Sequence, residues 1–317
     1  MNLAPIILFG YDRPAHISNM IESLTKNKES FDSELFIFID GKNDTTDVGS
    51  HKKVIDKVSE NLPFKKKYLN VRKENIGCKK NIISGISEVI ESYGKAIIVE
   101  DDLVLGKHFL NYMNNALIHY ENNSKIWHIN GYSYPQIFKN SKKSSIGTLA
   151  QPWGWGTWSD RWEVFIKNKY YEKNLISDLS EAERKKFNFY NLATYWENAL
   201  KLDGVGSNSV WDAYWYQTIF LNRGMTLFPQ VSHVQNMGFD GTGLHCGDEN
   251  IFKTKINLRE TVKFPTKNEE SKVYKMNAYF FYQKINIKDN INFHKPKFKN
   301  LNSIFKWLKT KFFVDKN

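Results

Sequence analysis

An α/β fold with a mixed, mainly parallel sheet and helices on both faces is predicted by three observations. Short apolar runs alternate with helix-period segments through the first 130 residues. The runs read as continuous apolar stretches, as strands covered on both faces do. Acidic, amide and glycine residues follow each run at once, and in parallel sheets the carboxyl ends of the strands form the ligand-binding edge.

The elements follow in order. Pro5–Tyr11 reads as a buried strand, and residues 14–26 read as a helix with Pro14 in its first turn. Glu34–Asp40 is the second strand, closed by Gly41, and a helix follows around 50–60. Tyr68–Arg72 is a third, less apolar strand. Ile82, Ile83, Ile86, Val89 and Ile90 recur at helical spacing. Ala96–Val99 is the fourth strand and runs straight into Glu100, Asp101 and Asp102. Residues 107–120 read as a helix and Ile126–Ile129 as a further strand. The four strand ends place Tyr11, Asp12, Arg13, Asp40, Gly41, Asn75, Gly77 and the acidic triplet along one edge.

From about residue 131 the texture changes. Residues 151–162 hold four tryptophans and two glycines, residues 207–216 cluster aromatics around Asp212, and residues 231–248 are rich in Gly, His and Asp. The chain therefore divides into a half spanning 1–130, a half of long loops spanning 131–250, and an extension spanning 251–317. Within the extension, 302–313 fits an amphipathic helix with Ile304, Phe305, Leu308 and Phe312 on one face.

Charge and composition exclude several classes. The 317 residues are 41% hydrophobic and 25% charged, which is globular rather than disordered composition. Cys78 and Cys246 are the two cysteines, too few for a disulfide scaffold and without C-x-x-C spacing for zinc. No run of about 18 apolar residues is present, and Pro5–Gly10 is short for a signal-peptide core, so a reducing cytosol is expected. The net charge of +11 lies wholly in residues 251–317, while residues 1–250 are neutral. That segregation speaks against nucleic acid as a partner and for a tail that meets an anionic membrane surface.

The acidic triplet carries the strongest chemical signal. Adjacent carboxylates at a partly desolvated strand end need a cation or several donors to offset their repulsion. Hard oxygen ligands suit Mg²⁺ or Mn²⁺, which in turn grip a diphosphate. The plain alternative is an acidic turn before a helix.

The segment VEDDLVLGKHFL resembles the metal-binding segment of the GT-A glycosyltransferases related to N-acetylglucosaminyltransferase I and of bacterial relatives that build surface polysaccharides. PIILFGYDRP, FIDG, QPWGWGTWSDRW, WDAYW and SHVQNMGFDGTGLH resemble further segments of that family in the same order, across residues 5–246. The resemblance implies a GT-A fold and a metal-dependent, inverting glycosyltransferase. Its donor would be a nucleotide-diphosphate sugar such as a UDP-sugar, and its acceptor a glycan or lipid-linked oligosaccharide of the bacterial surface. Residues 1–130 would bind the nucleotide sugar and 131–250 would hold the acceptor and the catalytic base.

Residue by residue, the resemblance implies that Asp102 ligates the metal, Asp101 holds the ribose and Glu100 the donor sugar. Asp40 would hydrogen-bond uracil, Arg13 would lie near the nucleotide, and Gly77 would let the backbone approach the base. The animal enzymes carry two acidic residues after the Trp of the Trp-Asp motif, the second being the base. This chain has Asp212 and then Ala213, which leaves Asp212 as the candidate base. His245 is a second metal-ligand candidate because the family's loop ends in a similar His. Of Trp153, Trp155, Trp158 and Trp162, one or two are expected to face the acceptor and the rest to pack. Two other classes stay open: a sugar-phosphate nucleotidyltransferase, although GYDRPAH lacks a Gly-rich phosphate loop, and a non-catalytic glycan-binding scaffold.

Overall fold

Ile6, Ile7 and Leu8 are wholly buried, which is why the first strand reads as an unbroken apolar run rather than an alternating one. The computed structural model describes residues 3–135, 143–205, 209–241, 252–260 and 262–289. Strands β1 (Ile6–Gly10), β2 (Glu34–Ile39), β3 (Lys66–Val71) and β4 (Lys95–Glu100) are mutually parallel, in spatial order β3-β2-β1-β4. Helices α1 (Pro14–Thr25), α2 (Val48–Ser59) and α3 (Cys78–Tyr93) make the crossovers. Pro14 opens α1, where a missing N–H is harmless. Asp47 caps α2 by accepting the Gly49 N–H at 3.0 Å. Gly94, at φ 74°, closes α3 with a left-handed residue.

The chain then turns at Asp101–Asp102 into β5 (Leu103–Leu105), α4 (Phe109–His119) and β6 (Ile126–Asn130). The second half supplies β7 (Ser145–Gly147), β8 (Trp155–Trp158), α5 (Ser159–Lys167), α6 (Glu181–Phe187), α7 (Tyr195–Leu202), α8 (Asp212–Leu221), β9 (Met225–Phe228) and β10 (Val234–Asn236), and α9 (Lys272–Asp289) follows in the extension. Strands β8, β6, β9 and β7 extend the first four into one eight-stranded sheet, with β8 antiparallel to both β4 and β6. Because β8 runs backwards, Trp153 and Gly154 before it lie on the same edge as the carboxyl ends of β1–β4. β10 pairs antiparallel with β5 in a separate ribbon.

The predicted α/β class is therefore the observed one. The halves on either side of residue 130 share one sheet, and residues 1–282 form one compact unit. Of the expected extension, residues 252–260 and 262–282 belong to that unit. The expected helix at 302–313 lies outside the described residues. Among the described residues, no helix is long and apolar enough to cross a membrane.

Behind the sheet edge sits a buried polar core. His128 is fully buried; its Nδ1 accepts the Trp215 indole N–H at 3.1 Å, so Nε2 carries the proton and donates to the Gln151 carbonyl at 3.1 Å. Burial lowers its pKa to about 4. An unfolded His takes a proton near 6.5 while the native one stays neutral, so this contribution is complete above about 6.5 and lost as pH falls toward about 4. The expected loss across that window is about 3 kcal/mol, and His128→Gln should flatten it in denaturant titrations between these pH values.

Candidate functional site

The carboxyl edge of the first four strands brings together residues far apart in sequence. Glu100 is the last residue of β4, and Asp101 and Asp102 make the turn into β5. Arg13 reaches them from the turn between β1 and α1: its Nη2 donates to Asp101 Oδ1 and, at 3.2 Å, to Asp102 Oδ2. Burial works against the Arg13 charge, but Asp101 and then Asp102 outweigh it and hold the guanidinium above its ordinary range. Asp101 is only 4% exposed, and its pKa is raised to about 6, by burial first, with Arg13 opposing.

Asp212 comes to the same place from the second half. It is the first residue of α8, where the helix dipole favours a carboxylate. Burial, followed by the charges of Asp102, Asp212 and Asp101, raises the pKa of Glu100 well above the carboxylate range, against Arg13. The Cys78 thiol at the start of α3 is raised by its crowded surroundings and then by Glu100, Asp212, Asp101 and Asp40. Cys78 is nonetheless solvent-exposed. The sequence-derived candidates Asp212, Glu100, Asp101 and Asp102 thus share one electrostatic neighbourhood.

Asp40 and Gly77 meet in a way the sequence reading did not anticipate. Asp40 Oδ1 accepts the N–H groups of Gly41 (2.9 Å) and Ile76 (3.0 Å), and Oδ2 accepts that of Gly77 (2.9 Å). This carboxylate therefore builds the loop that opens α3, with Gly77 at φ 83°. Gly41 is obligatory for the contact: a Cβ there would lie 2.2 Å from the Glu74 carbonyl carbon. Backbone cannot yield as a side chain can, so Gly41→Ala is expected to cost about 2 kcal/mol, read as a lowered urea midpoint.

The segment after β10 closes over Asp102. The Met237 N–H donates to the Asp102 carbonyl at 2.8 Å, and a Cβ on Gly238 would come within 2.5 Å of Asp102 Oδ2. Further along, Asp240 pairs with His16 of α1 at 3.2 Å. Gly238→Ala should push the Asp102 carboxylate aside while the melting temperature stays within a few degrees, checked by thermal unfolding.

Of the four tryptophans, Trp155, Trp158 and Trp162 are no more than 2% exposed, whereas Trp153 is half-buried and meets Tyr132, Phe239 and Phe252 edge-on. His245 and Cys246 lie outside the described residues. Among the described residues, no three His, Cys, Asp or Glu side chains are gathered to hold a metal ion. The donor set still suits one. The carboxylates of Glu100, Asp101, Asp102 and Asp212 outnumber the Arg13 guanidinium, and Mg²⁺ or Mn²⁺ binds through one or two carboxylates together with substrate phosphates.

No model of a known protein family matches the sequence. No curated protein matches it either. Among solved structures the chain is similar to S. aureus TarS at 12% identity and a TM-score of 0.44, over 76% of this chain and 38% of that one. It is also similar to S. aureus TarS 1–349, at 12% identity and a TM-score of 0.35, over 61% of this chain and 55% of that one. The third is the mannosyltransferase PcManGT from Pyrobaculum calidifontis, solved with GDP-Man and Mn²⁺. It shows 7% identity and a TM-score of 0.34, over 69% of this chain and 72% of that one. The chain thus spans well under two thirds of either TarS structure.

Proposed function

We propose that this chain is a metal-dependent, inverting glycosyltransferase of the GT-A type. It would move sugar from a nucleotide-diphosphate donor, a UDP-sugar, to a glycan or lipid-linked oligosaccharide of the bacterial surface. One observation carries the reading: the charge of Asp212, from the second half, acts on Glu100 at the end of β4 in the first. Inverting transfer needs this pairing, a carboxylate to take the acceptor's proton set opposite a charged cradle for the departing diphosphate.

The chain's own residues divide the work. Asp212 accepts the hydroxyl proton as the acceptor oxygen attacks the anomeric carbon. Glu100, protonated more readily than an ordinary carboxylate, hydrogen-bonds the donor sugar, and Asp101 holds the ribose. Arg13 fixes both aspartates of the turn in place. Asp40 shapes the loop at Gly77 against which the base lies, and its uracil contact would use acceptor capacity that the backbone N–H groups leave over. Trp153 and Phe239 offer flat apolar faces to an acceptor ring. Mn²⁺ or Mg²⁺ held by Asp102 and the donor phosphates, with His245 as a further ligand, would neutralise charge developing on the diphosphate. The basic extension would bring the enzyme to an anionic lipid surface on the cytoplasmic side, peripheral rather than spanning.

A panel of nucleotide sugars tests the reading, with and without Mn²⁺, scored by nucleotide release and by thermal stabilisation. Metal-dependent release from a UDP-sugar is expected. Absence of both signals across the panel overturns the enzyme assignment.

A further inference from the structure

We propose that Asp203 and Lys79 form a strut between α3 and the segment around Asp212 that sets the position of Asp212 against the β4 carboxylates. The inference rests on the reading of Asp212 as the catalytic base and makes Asp203 and Lys79 positioning residues.

The geometry is a hub. Asp203 Oδ1 accepts the Val210 N–H at 2.9 Å, two residues before Asp212. Asp203 Oδ2 accepts the Tyr214 hydroxyl at 3.0 Å, two residues after Asp212. The same oxygen pairs with Lys79 Nζ at 2.8 Å. Lys79 also lies over the Tyr214 ring, 4.2 Å from its centre. One carboxylate thus grips the chain on both sides of Asp212 and fastens it to the first turn of α3. That turn also carries Gly77, held by Asp40, and Cys78, which senses Glu100, Asp101 and Asp212.

The placement of Asp203 argues for a purpose. It stands at the carboxyl end of α7, where the helix dipole opposes a negative charge. Burial also disfavours its charge, yet Lys79, the Val210 N–H and the Tyr214 hydroxyl together hold its pKa below the ordinary value. The Lys79 and Asp203 side chains are only 18% and 15% exposed, so the pair is better shielded than a surface ion pair. Lys79 and Asp203 stand 124 residues apart, and no local pattern of the sequence ties them together.

Amide hydrogen exchange of the whole chain, without ligand, reads the strut independently of any activity. Asp203→Ala and Lys79→Met should raise exchange over 210–215 by about tenfold or more, while the strands of the sheet stay protected. Lys79→Arg, which keeps the ion pair, should leave that exchange near the parent's. In the same variants kcat for nucleotide-sugar turnover should fall about ten- to a hundredfold, with Kd for UDP plus Mn²⁺ unchanged by calorimetry. If exchange over 210–215 is unaltered in both disruptive variants, the strut is overturned, whatever the enzyme does. If exchange rises but kcat holds, its positioning role is overturned. If exchange rises and the parent chain turns over no nucleotide sugar, the strut stands and the glycosyltransferase reading falls. Should Asp203→Ala fail to fold, Lys79→Met alone decides, since it leaves the Val210 and Tyr214 bonds in place.

Discussion

Asp212→Asn is expected to bind UDP with Mn²⁺ as tightly as the parent chain and to transfer sugar about a thousandfold more slowly. The change keeps size and hydrogen-bonding shape but removes the ability to take a proton. It also relieves Glu100 of one repelling charge, so the Glu100 pKa should move down toward the ordinary range. The proposed nucleotide contacts Asp40, Gly77 and Arg13 are held by bonds that do not involve Asp212. Calorimetry and product formation, measured on one preparation, check the split. Normal transfer by this variant would place the base elsewhere.

Asp102→Asn should remove metal-dependent turnover, about a thousandfold or more, and should also weaken Mn²⁺-dependent UDP binding. Asp102 is the residue of the triplet with three constraints converging on it: Arg13 at 3.2 Å, the Met237 N–H on its carbonyl, and Gly238 packed against its carboxylate. Its side chain is 16% exposed, open enough to meet phosphate and metal. The fold should survive, because Asn keeps an acceptor for Arg13. Circular dichroism and the melting temperature test that part, and metal titration of nucleotide release tests the other. Turnover that still follows Mn²⁺ in a folded Asp102→Asn chain would refute the metal assignment.

The first half was legible because its signals are local. Apolar runs such as AIIV, buried on both faces, announce a parallel strand, and the residue following each run must fall on the ligand edge. The convergence of Asp212 on the triplet could be anticipated only through the resemblance, since no local pattern ties residue 212 to residue 100. Other features were not legible. QPWGWGTWSDRW reads as a loop, yet its centre is β8, a strand of four buried residues whose partners lie 25 to 27 residues upstream in β6 and 57 to 63 upstream in β4. Trp155 and Trp158 are both buried in it, a long-range effect that overrides local propensity. The backbone bonds of Asp40 left no trace either, because Asp-Gly after a strand does not announce the three N–H groups it accepts, two of them 36 and 37 residues away. Lys79 and Asp203 are 124 residues apart, so their pairing leaves no local signature.

The pairing of β5 with β10 has a practical corollary for protein engineering. Residues 103–105 and 234–236 zip together, and Met237 then fastens to the Asp102 carbonyl. The acidic turn and the stretch that overlies it therefore travel as one cassette. A chimera that exchanges either stretch with a distant homologue, leaving its mate behind, should inherit a mismatched seam beside the carboxylates. Exchanging both together should graft cleanly.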